Sequence, residues 1–189
     1  MSKTSLSACI GLGDPNAKLN LYLSNRPDFD FAASHSSIAP LEQGEIFAVG
    51  QSCGNGWRKV FNVYAKLIYA LPREFFPISP SATSWQHYRD MDLLQSSSNT
   101  ALIFNSEVFN QQYHLPDNGM HIVMGRTFAA TLEMPMTLRW LSHEFAIDTT
   151  HKIIVCPYFD YRQLSNAKII YLVDLISTQM GLTNINTSY

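Results

Sequence analysis

The sequence predicts an α/β fold, a three-layer α/β/α domain around a central, mostly parallel sheet of about four strands. Short apolar segments with the composition of buried strands alternate with segments whose apolar residues recur at helical spacing. The chain has 189 residues, 46% of them apolar, which suits one core of roughly 100–200 residues. We therefore expect one domain over residues 1–189, with an irregular arm at 1–17 and a frayed tail at 182–189.

Four short apolar segments are the predicted strands of this sheet. Each is rich in residues that favour strands and leads into polar or turn-forming residues. They are residues 19–23, 101–104, 121–124 and 152–155. Residues 46–50 are a fifth apolar segment, which we interpret either as a short strand or as the floor of a pocket.

Helices are predicted between the strands. The clearest one carries an apolar face over residues 60–71 and ends at Pro72. Residues 85–94 predict a weaker helix, and a short one begins near Arg126. A last helix begins at Ser165 or Asn166, either of which suits an N-cap, and shows a wide apolar face.

Residues 28–45 show no hydrophobic period and contain Pro40 and a serine-rich stretch. They predict a long loop. Loops of this length inside a compact domain are usually functional, which makes this segment a second region of interest beside the strand ends.

Charge and cysteine content exclude several classes of function. A formal net charge of −2 provides no general attraction to phosphate, so duplex DNA is not favoured. The three cysteines are scattered, as in a reduced compartment, and match no disulfide framework or zinc or iron–sulfur set. No apolar run reaches the roughly 18 residues of a membrane span. We expect a cytoplasmic protein with no cofactor, no metal or iron–sulfur cluster and no membrane partner.

The loop after the last predicted strand is the first place to look for a site. Ligands of open α/β sheets bind where loops leave the carboxyl ends of the strands. Here residues 152–155 lead into Cys156-Pro157-Tyr158-Phe159-Asp160-Tyr161-Arg162, and a helix follows. Three aromatic residues in such a loop either pack over the sheet end or line a pocket.

Five segments, taken in order, carry a resemblance to a known family. They are Ser24-Asn25-Arg26-Pro27-Asp28, residues 44–50 with Phe47 and Gly50, Phe104-Asn105, residues 120–132, and Val155-Cys156-Pro157-Tyr158. Together they resemble the uracil-DNA glycosylase superfamily, especially its bacterial branches, over residues 18–180. The resemblance implies the three-layer fold of that family and a pocket at the carboxyl ends of the strands.

The resemblance also implies roles for individual residues. The first segment stands where the family has its water-activating residue, Phe47 where an aromatic ring stacks on the base, and Asn105 where an asparagine reads uracil. The implied ligand-binding set is Asn25, Arg26, Pro27, Phe47, Gly50, Asn105, Cys156, Pro157, Tyr158 and Arg162. The candidates for catalysis are Asn25, Asp28 and Cys156. We expect Asn25, Phe47, Asn105 and Cys156 to surround one cavity.

The chain departs from the family at the catalytic positions. Cys156 replaces the family's histidine, Tyr158 replaces its serine, and Asn25 is only the nearest counterpart of the water-activating residue. A neutral thiol stabilises the charge on a departing base poorly. We therefore expect a protein that binds a nucleobase, a nucleotide or single-stranded nucleic acid, with glycosylase chemistry weakened or lost.

Two other functions start from the same sequence. Cys156 and Arg162 have the Cys-x5-Arg spacing of cysteine phosphatases, although the bulky residues between them and the charge of Asp160 oppose a phosphate cradle. The chain also fits a protein-interaction module or a subunit without enzymatic activity. Basic residues at a pocket rim favour a nucleotide-like ligand, whereas a large exposed apolar patch elsewhere favours an interaction module.

Purely structural roles compete with each functional one. Cys156, at a strand end, could be a buried and inert side chain. Phe47 could be a residue of the hydrophobic core. Asn105 could cap the turn that follows its strand. Arg26 and Asp28 could form an ion pair in solvent.

Overall fold

The architecture is that of a computed structural model, which describes residues 9–31, 37–104, 109, 115 and 119–181. These residues contain one mixed sheet of eight strands in the spatial order β3-β1-β4-β2-β5-β8-β7-β6. The strands are β1 (Gly11–Gly13), β2 (Leu19–Tyr22), β3 (Ile38–Ala39), β4 (Thr100–Ile103), β5 (Met120–Met124), β6 (Arg139–Trp140), β7 (Ala146–Asp148) and β8 (Ile153–Cys156). The helices are α1 (Glu45–Ser52), α2 (Asn55–Ala70), α3 (Trp85–Met91), α4 (Arg126–Ala129) and α5 (Asn166–Gln179).

The four predicted strands form the parallel centre of the sheet. β4, β2, β5 and β8 lie side by side, each parallel to its neighbour. Every residue of these four strands is buried, as expected of parallel strands covered on both faces. The α/β class and the parallel centre are thereby confirmed.

The sheet is larger than the predicted four strands. Four further strands, of two or three residues each, extend it at both edges. β1 and β7 pair antiparallel with β4 and β8, so the sheet is mixed rather than parallel throughout. Strands this short contain too few residues to show a period of two, so the sequence carries no signal for them.

Residues 11–13 correct the expectation of an irregular arm at 1–17. They form β1, which pairs antiparallel with β4. A Cβ atom added at Gly11 would overlap the Leu102 carbonyl oxygen, and one added at Gly13 would overlap that of Thr100. Glycine therefore permits the close approach of the two backbones. Residues 1–8 and the tail at 182–189 lie outside the described part.

The segment at residues 46–50 is not a strand, because it lies inside α1. Gly44 precedes the helix with φ +92°, and the Glu45 carboxylate accepts the backbone N–H of Glu42 at 2.7 Å. Ile46 and Val49, three residues apart, face the core. The apolar run is too short for its period to separate a helix from a strand.

Four helices share one face of the sheet. Buried side chains of α1, α2, α3 and α5 join strand residues such as Leu21, Ile122 and Ile154 in one cluster. The alternate strand residues, including Tyr22, Val123 and Val155, form a second cluster on the opposite face. In the described part of the chain, the one-turn helix α4 contributes Ala129 to this cluster, and Phe128 packs against it.

The remaining predicted elements are confirmed. α2 starts after Gly54 and ends before Pro72, and α3 begins at Ser84, whose hydroxyl accepts the His87 N–H at 3.1 Å. α5 has Ser165 at its N-cap. Within the predicted loop at residues 28–45, the short strand β3 adds a parallel partner to β1.

Candidate functional site

A cavity of about 810 Å³ lies at the carboxyl edge of the four central strands. Residues that end or follow each of these strands contribute to its wall. The described lining residues are Ser24, Asn25, Phe104, Met124, Gly125, Arg126, Thr127, Phe128, Thr131, His143, Glu144, Pro157, Tyr158 and Gln163. Its volume falls in the range of small-molecule sites, about 300–1,000 Å³.

The topology explains why the cavity forms here. β2 lies between β4 and β5, and the chain passes from β2 to β4 on one side before it crosses to β5 on the other. The loops after the neighbouring strands β2 and β5 therefore leave in opposite directions and open a crevice. Such a switch point is the usual ligand site of an open α/β sheet.

The side chains of Asn25, after β2, and Tyr158, after β8, both line the cavity. Burial raises the pKa of the Tyr158 phenol, the neighbouring Asn25 side chain lowers it, and the charge of Asp160 raises it again. The phenol is therefore a neutral hydroxyl at physiological pH. Between them, an amide and a hydroxyl can both donate to and accept from a ligand.

Apolar surface comes from rings on two sides of the cavity. Phe104 follows β4 and is braced by Trp57 of α2, with the two rings edge to face and their centroids 6.2 Å apart. Phe128 lies on α4 and packs against the second core cluster. Pro157 adds a rigid apolar contact after β8. The cavity therefore combines flat apolar surfaces with the polar pair described above.

The side of the cavity formed by α4 and the β6–β7 turn is charged. Arg126 Nη1 donates to the His143 carbonyl oxygen at 2.9 Å. Glu144 Oε1 lies 2.6 Å from Lys168 Nζ, which also donates to the Gln163 carbonyl oxygen at 3.0 Å. The carboxylate of this wall is thus neutralised by a lysine of α5.

Cys156, predicted as a ligand-binding and catalytic candidate, does not line the cavity. Its side chain is 0% exposed and belongs to the core cluster beneath α2 and α5. Burial raises the pKa of the thiol far above its usual range. A thiol that is neither acidified nor exposed suits the inert role and opposes the phosphatase hypothesis. The next two residues of the same loop, Pro157 and Tyr158, do line the cavity.

Phe47 and Gly50 lie apart from the other predicted site residues. They line a separate hollow of about 140 Å³ among α1, α2 and α3. Phe47 is 67% exposed, so it is not a core residue either. The expected convergence of Phe47 and Asn25 on one cavity is not observed, because residues 46–50 are helical and turn this ring outward.

The remaining predicted residues also lie away from the lining of the cavity. Arg26 and Asp28 are exposed and Pro27 is buried. The Asp28 carbonyl oxygen accepts the Cys53 thiol at 3.2 Å. Arg162 is exposed and its backbone N–H donates to Asp160 at 2.9 Å. Asn105 lies outside the described residues, directly after Phe104.

Several lining residues were not predicted as site residues. Arg126 follows β5 just as Asn25 follows β2, so the strand-end rule applied to the sequence could have found it. His143 and Glu144 come from the turn between two strands that the sequence did not reveal. Their sequence carries no signal for a site, since His143-Glu144 lacks the second histidine of a zinc helix.

The described residues contain no group of three or more histidine, cysteine, aspartate or glutamate side chains placed to hold a metal ion. In the same part of the chain, no helix has the length and apolarity to cross a membrane.

Comparison with known proteins gave one match. A family described as a family of unknown function (DUF6942) matches residues 10–177. That range includes every described residue that lines the cavity. No curated protein and no solved structure matches significantly.

Proposed function

The chain belongs to the DUF6942 family of unknown function, and we propose that it binds a nucleobase or a nucleotide-like ligand in the edge cavity, with glycosylase chemistry weakened or lost. One observation carries the proposal. Residues following all four central parallel strands meet around a single cavity at the topological switch point. This position is where open α/β sheets bind their ligands.

The polar pair of the cavity suits the edge of a base. The Asn25 amide offers two donors and an acceptor, and the Tyr158 hydroxyl offers one donor and accepts as well. The two side chains are close enough for Asn25 to lower the pKa of the Tyr158 phenol, so one ligand can meet both. A base edge with alternating donors and acceptors can then bond to both groups.

The aromatic surfaces suit the face of a base. Phe104 and Phe128 line the same cavity as Asn25. Stacking of a base on an aromatic ring contributes about 1–3 kcal/mol. Because every base has a flat face, stacking alone does not select one base, and Asn25 with Tyr158 would provide the selectivity.

The ion pair at the carboxylate of the described lining supports weakened chemistry. Among the described lining residues, Glu144 is the one carboxylate, and Lys168 holds it in an ion pair. Cys156 stands at the sequence position of the family histidine in the glycosylase resemblance, yet it is buried outside the cavity lining. Asn25 is an amide and cannot act as a general base toward water.

Isothermal titration with the common nucleosides and nucleobases tests the proposal. We expect at least one to bind, and Asn25→Ala and Tyr158→Phe to weaken it by about tenfold or less, because each change removes a hydrogen bond. Asn16→Ala, in an exposed turn before β2, is the matched control and should bind normally. Failure of every nucleoside, nucleobase and nucleotide to bind the wild-type chain would overturn the proposal.

One observation favours the alternative of an interaction module. Met136, Trp140 and Leu141 expose apolar side chains around β6, the last strand of the sheet order. Apolar side chains beside an open sheet edge are typical of a contact surface. Sedimentation velocity over a hundredfold range of concentration tests this alternative, with Leu141→Glu as the variant that should abolish self-association.

A further inference from the structure

Arg126 is held in a fixed position at the cavity wall. Its guanidinium lies over the Trp140 ring, with Cζ 4.4 Å from the ring centroid. Nη1 donates to the His143 carbonyl oxygen at 2.9 Å. Stacking and a backbone hydrogen bond together restrain a side chain that otherwise samples many rotamers, so a ligand meets it already oriented.

The positive charge of Arg126 is not neutralised by the described part of the protein. There, the His143 carbonyl accepts one of the five guanidinium N–H groups, and no carboxylate forms an ion pair with Arg126. Glu144, the carboxylate in the same wall, lies 2.6 Å from Lys168 Nζ, and its Oε1 is 3.8 Å from His143 Nε2. Arg126 therefore presents a net charge and unused donors to the cavity.

We infer that the ligand of the cavity carries a phosphomonoester, and that Arg126 binds it. This inference rests on the proposed function and narrows it to a nucleoside monophosphate. A planar guanidinium binds two phosphate oxygens with paired hydrogen bonds. The base would meet Asn25 and Tyr158, while the phosphate would meet Arg126 in the charged wall of the same cavity.

The charges favour a mononucleotide over a nucleic-acid chain. Binding along a single strand requires a groove of cations that follows the backbone. At this cavity, the charge of Lys168 is compensated by Glu144, which leaves Arg126 as the uncompensated cation of the described lining. One such cation suits one phosphate.

Titration calorimetry with matched pairs of ligands tests the inference. Each nucleoside that binds is compared with its 5′-monophosphate, with inorganic phosphate and with a single-stranded oligonucleotide of the same base. We expect the monophosphate to bind at least about tenfold more tightly than the nucleoside, since a charge-assisted pair is stronger than a neutral one. Arg126→Gln should remove this difference between monophosphate and nucleoside.

Arg73→Gln is the matched control. The Arg73 guanidinium also stacks on an aromatic ring, 4.7 Å from the Tyr69 centroid, and donates to a backbone carbonyl, that of Tyr69 at 2.9 Å. Arg73 lies outside the lining of the cavity. The Arg73→Gln variant should therefore still bind the monophosphate more tightly than the nucleoside. If Arg126→Gln does not fold, two measurements on the wild-type protein test the phosphate inference. The monophosphate should bind more tightly than the nucleoside, and this difference in affinity should shrink as salt is added.

The outcomes separate this inference from the proposed function. Equal affinities for nucleoside and monophosphate, or a gain that survives Arg126→Gln, overturn the phosphate inference alone. An oligonucleotide that binds more tightly than the mononucleotide overturns the choice of a mononucleotide. Absence of binding by nucleosides and nucleotides alike overturns both.

Discussion

Lys59 Nζ lies 2.6 Å from Asp160 Oδ2, and this ion pair connects α2 to the loop after β8. The second oxygen of the carboxylate accepts the Arg162 backbone N–H at 2.9 Å. Because both contacts favour the ionised form, with the bond from Lys59 the larger cause, the pKa of Asp160 lies below its ordinary value of 3.8. The pair thereby fixes the loop that presents Tyr158 to the cavity.

We expect Asp160→Asn to lower the free energy of unfolding by about 1 kcal/mol at pH 7, the upper range for a partly exposed pair. The pKa is depressed in the folded state, so the contribution is complete above the unfolded value near 4 and is lost as pH falls through the folded pKa. Urea denaturation from pH 7 to about pH 2.5 measures this. The wild-type and variant curves should converge at the acidic end.

Asp174→Asn is the control for that comparison, because Asp174 is an exposed residue of α5 with no ion pair in the described part of the chain. It should leave stability unchanged at pH 7. A difference between Asp160→Asn and wild type that stays constant across the acid range would contradict the assigned ion pair.

Cysteine reactivity should follow burial rather than any catalytic role. Cys53 is partly exposed, whereas Cys9 and Cys156 are buried. Burial raises the pKa of Cys9 to about 11 and that of Cys156 further. Alkylation at neutral pH, followed by mass spectrometry, should therefore modify Cys53 first and Cys156 only when the protein unfolds.

Cys156→Ser should reduce stability by about 1 kcal/mol, because a hydroxyl replaces a thiol in an apolar core, and should leave ligand affinity nearly unchanged. Phosphate and vanadate should not affect the alkylation rate of Cys156. Rapid labelling that vanadate slows would instead support the cysteine phosphatase hypothesis with Arg162.

Replacing Gly13 with alanine should destabilise the fold by about 3 kcal/mol or more, among the larger effects of single substitutions. Its φ is +115°, and an added Cβ would overlap the Thr100 carbonyl oxygen and lie 2.9 Å from Ala101 Cα. Gly44→Ala is the matched control, with φ +92° and no atom within 4 Å of the added Cβ.

The control should show only the cost of a left-handed backbone, about 1 kcal/mol. Thermal unfolding of both variants measures the difference. Equal losses of stability would mean that the backbones of β1 and β4 separate easily, contrary to the close pairing of these strands.

Excision of uracil from single-stranded or mismatched DNA should be absent or far below that of an intact uracil-DNA glycosylase. In the resemblance to that superfamily, Cys156 and Tyr158 stand where it has its catalytic histidine and serine, and a thiol and a phenol would stabilise the departing base poorly. A gel assay with uracil-containing oligonucleotides measures this. Robust excision at low enzyme concentration, abolished by Asn105→Ala, would show that the chain does not need the histidine.

The central strands and α2 were predictable because their signals are local. The run at residues 153–155 is β-branched and apolar, and the face of α2 repeats over several turns before Pro72. Tyr158 was proposed from the loop after such a strand and Asn25 from the glycosylase resemblance, and both line the cavity. The cavity brings together these two residues, 133 positions apart in sequence, and no local pattern indicates that they are neighbours.

Other parts depended on contacts between distant segments. β1 forms because Gly11 and Gly13 allow the β4 backbone to approach, and a three-residue strand shows no such partner in its own sequence. Phe47 was misplaced because a five-residue apolar run fits both a strand and a turn of helix.

The sequence by itself determined the α/β class, the parallel centre of the sheet and the edge at which a site should lie. These follow from hydrophobic period and chain direction, which a short window of residues contains. Only the tertiary structure decided that Cys156 is buried and that Arg126, Trp140 and His143 meet at the wall. Such neighbours are set by how the β6–β7 hairpin packs beside α4, and packing depends on the whole chain.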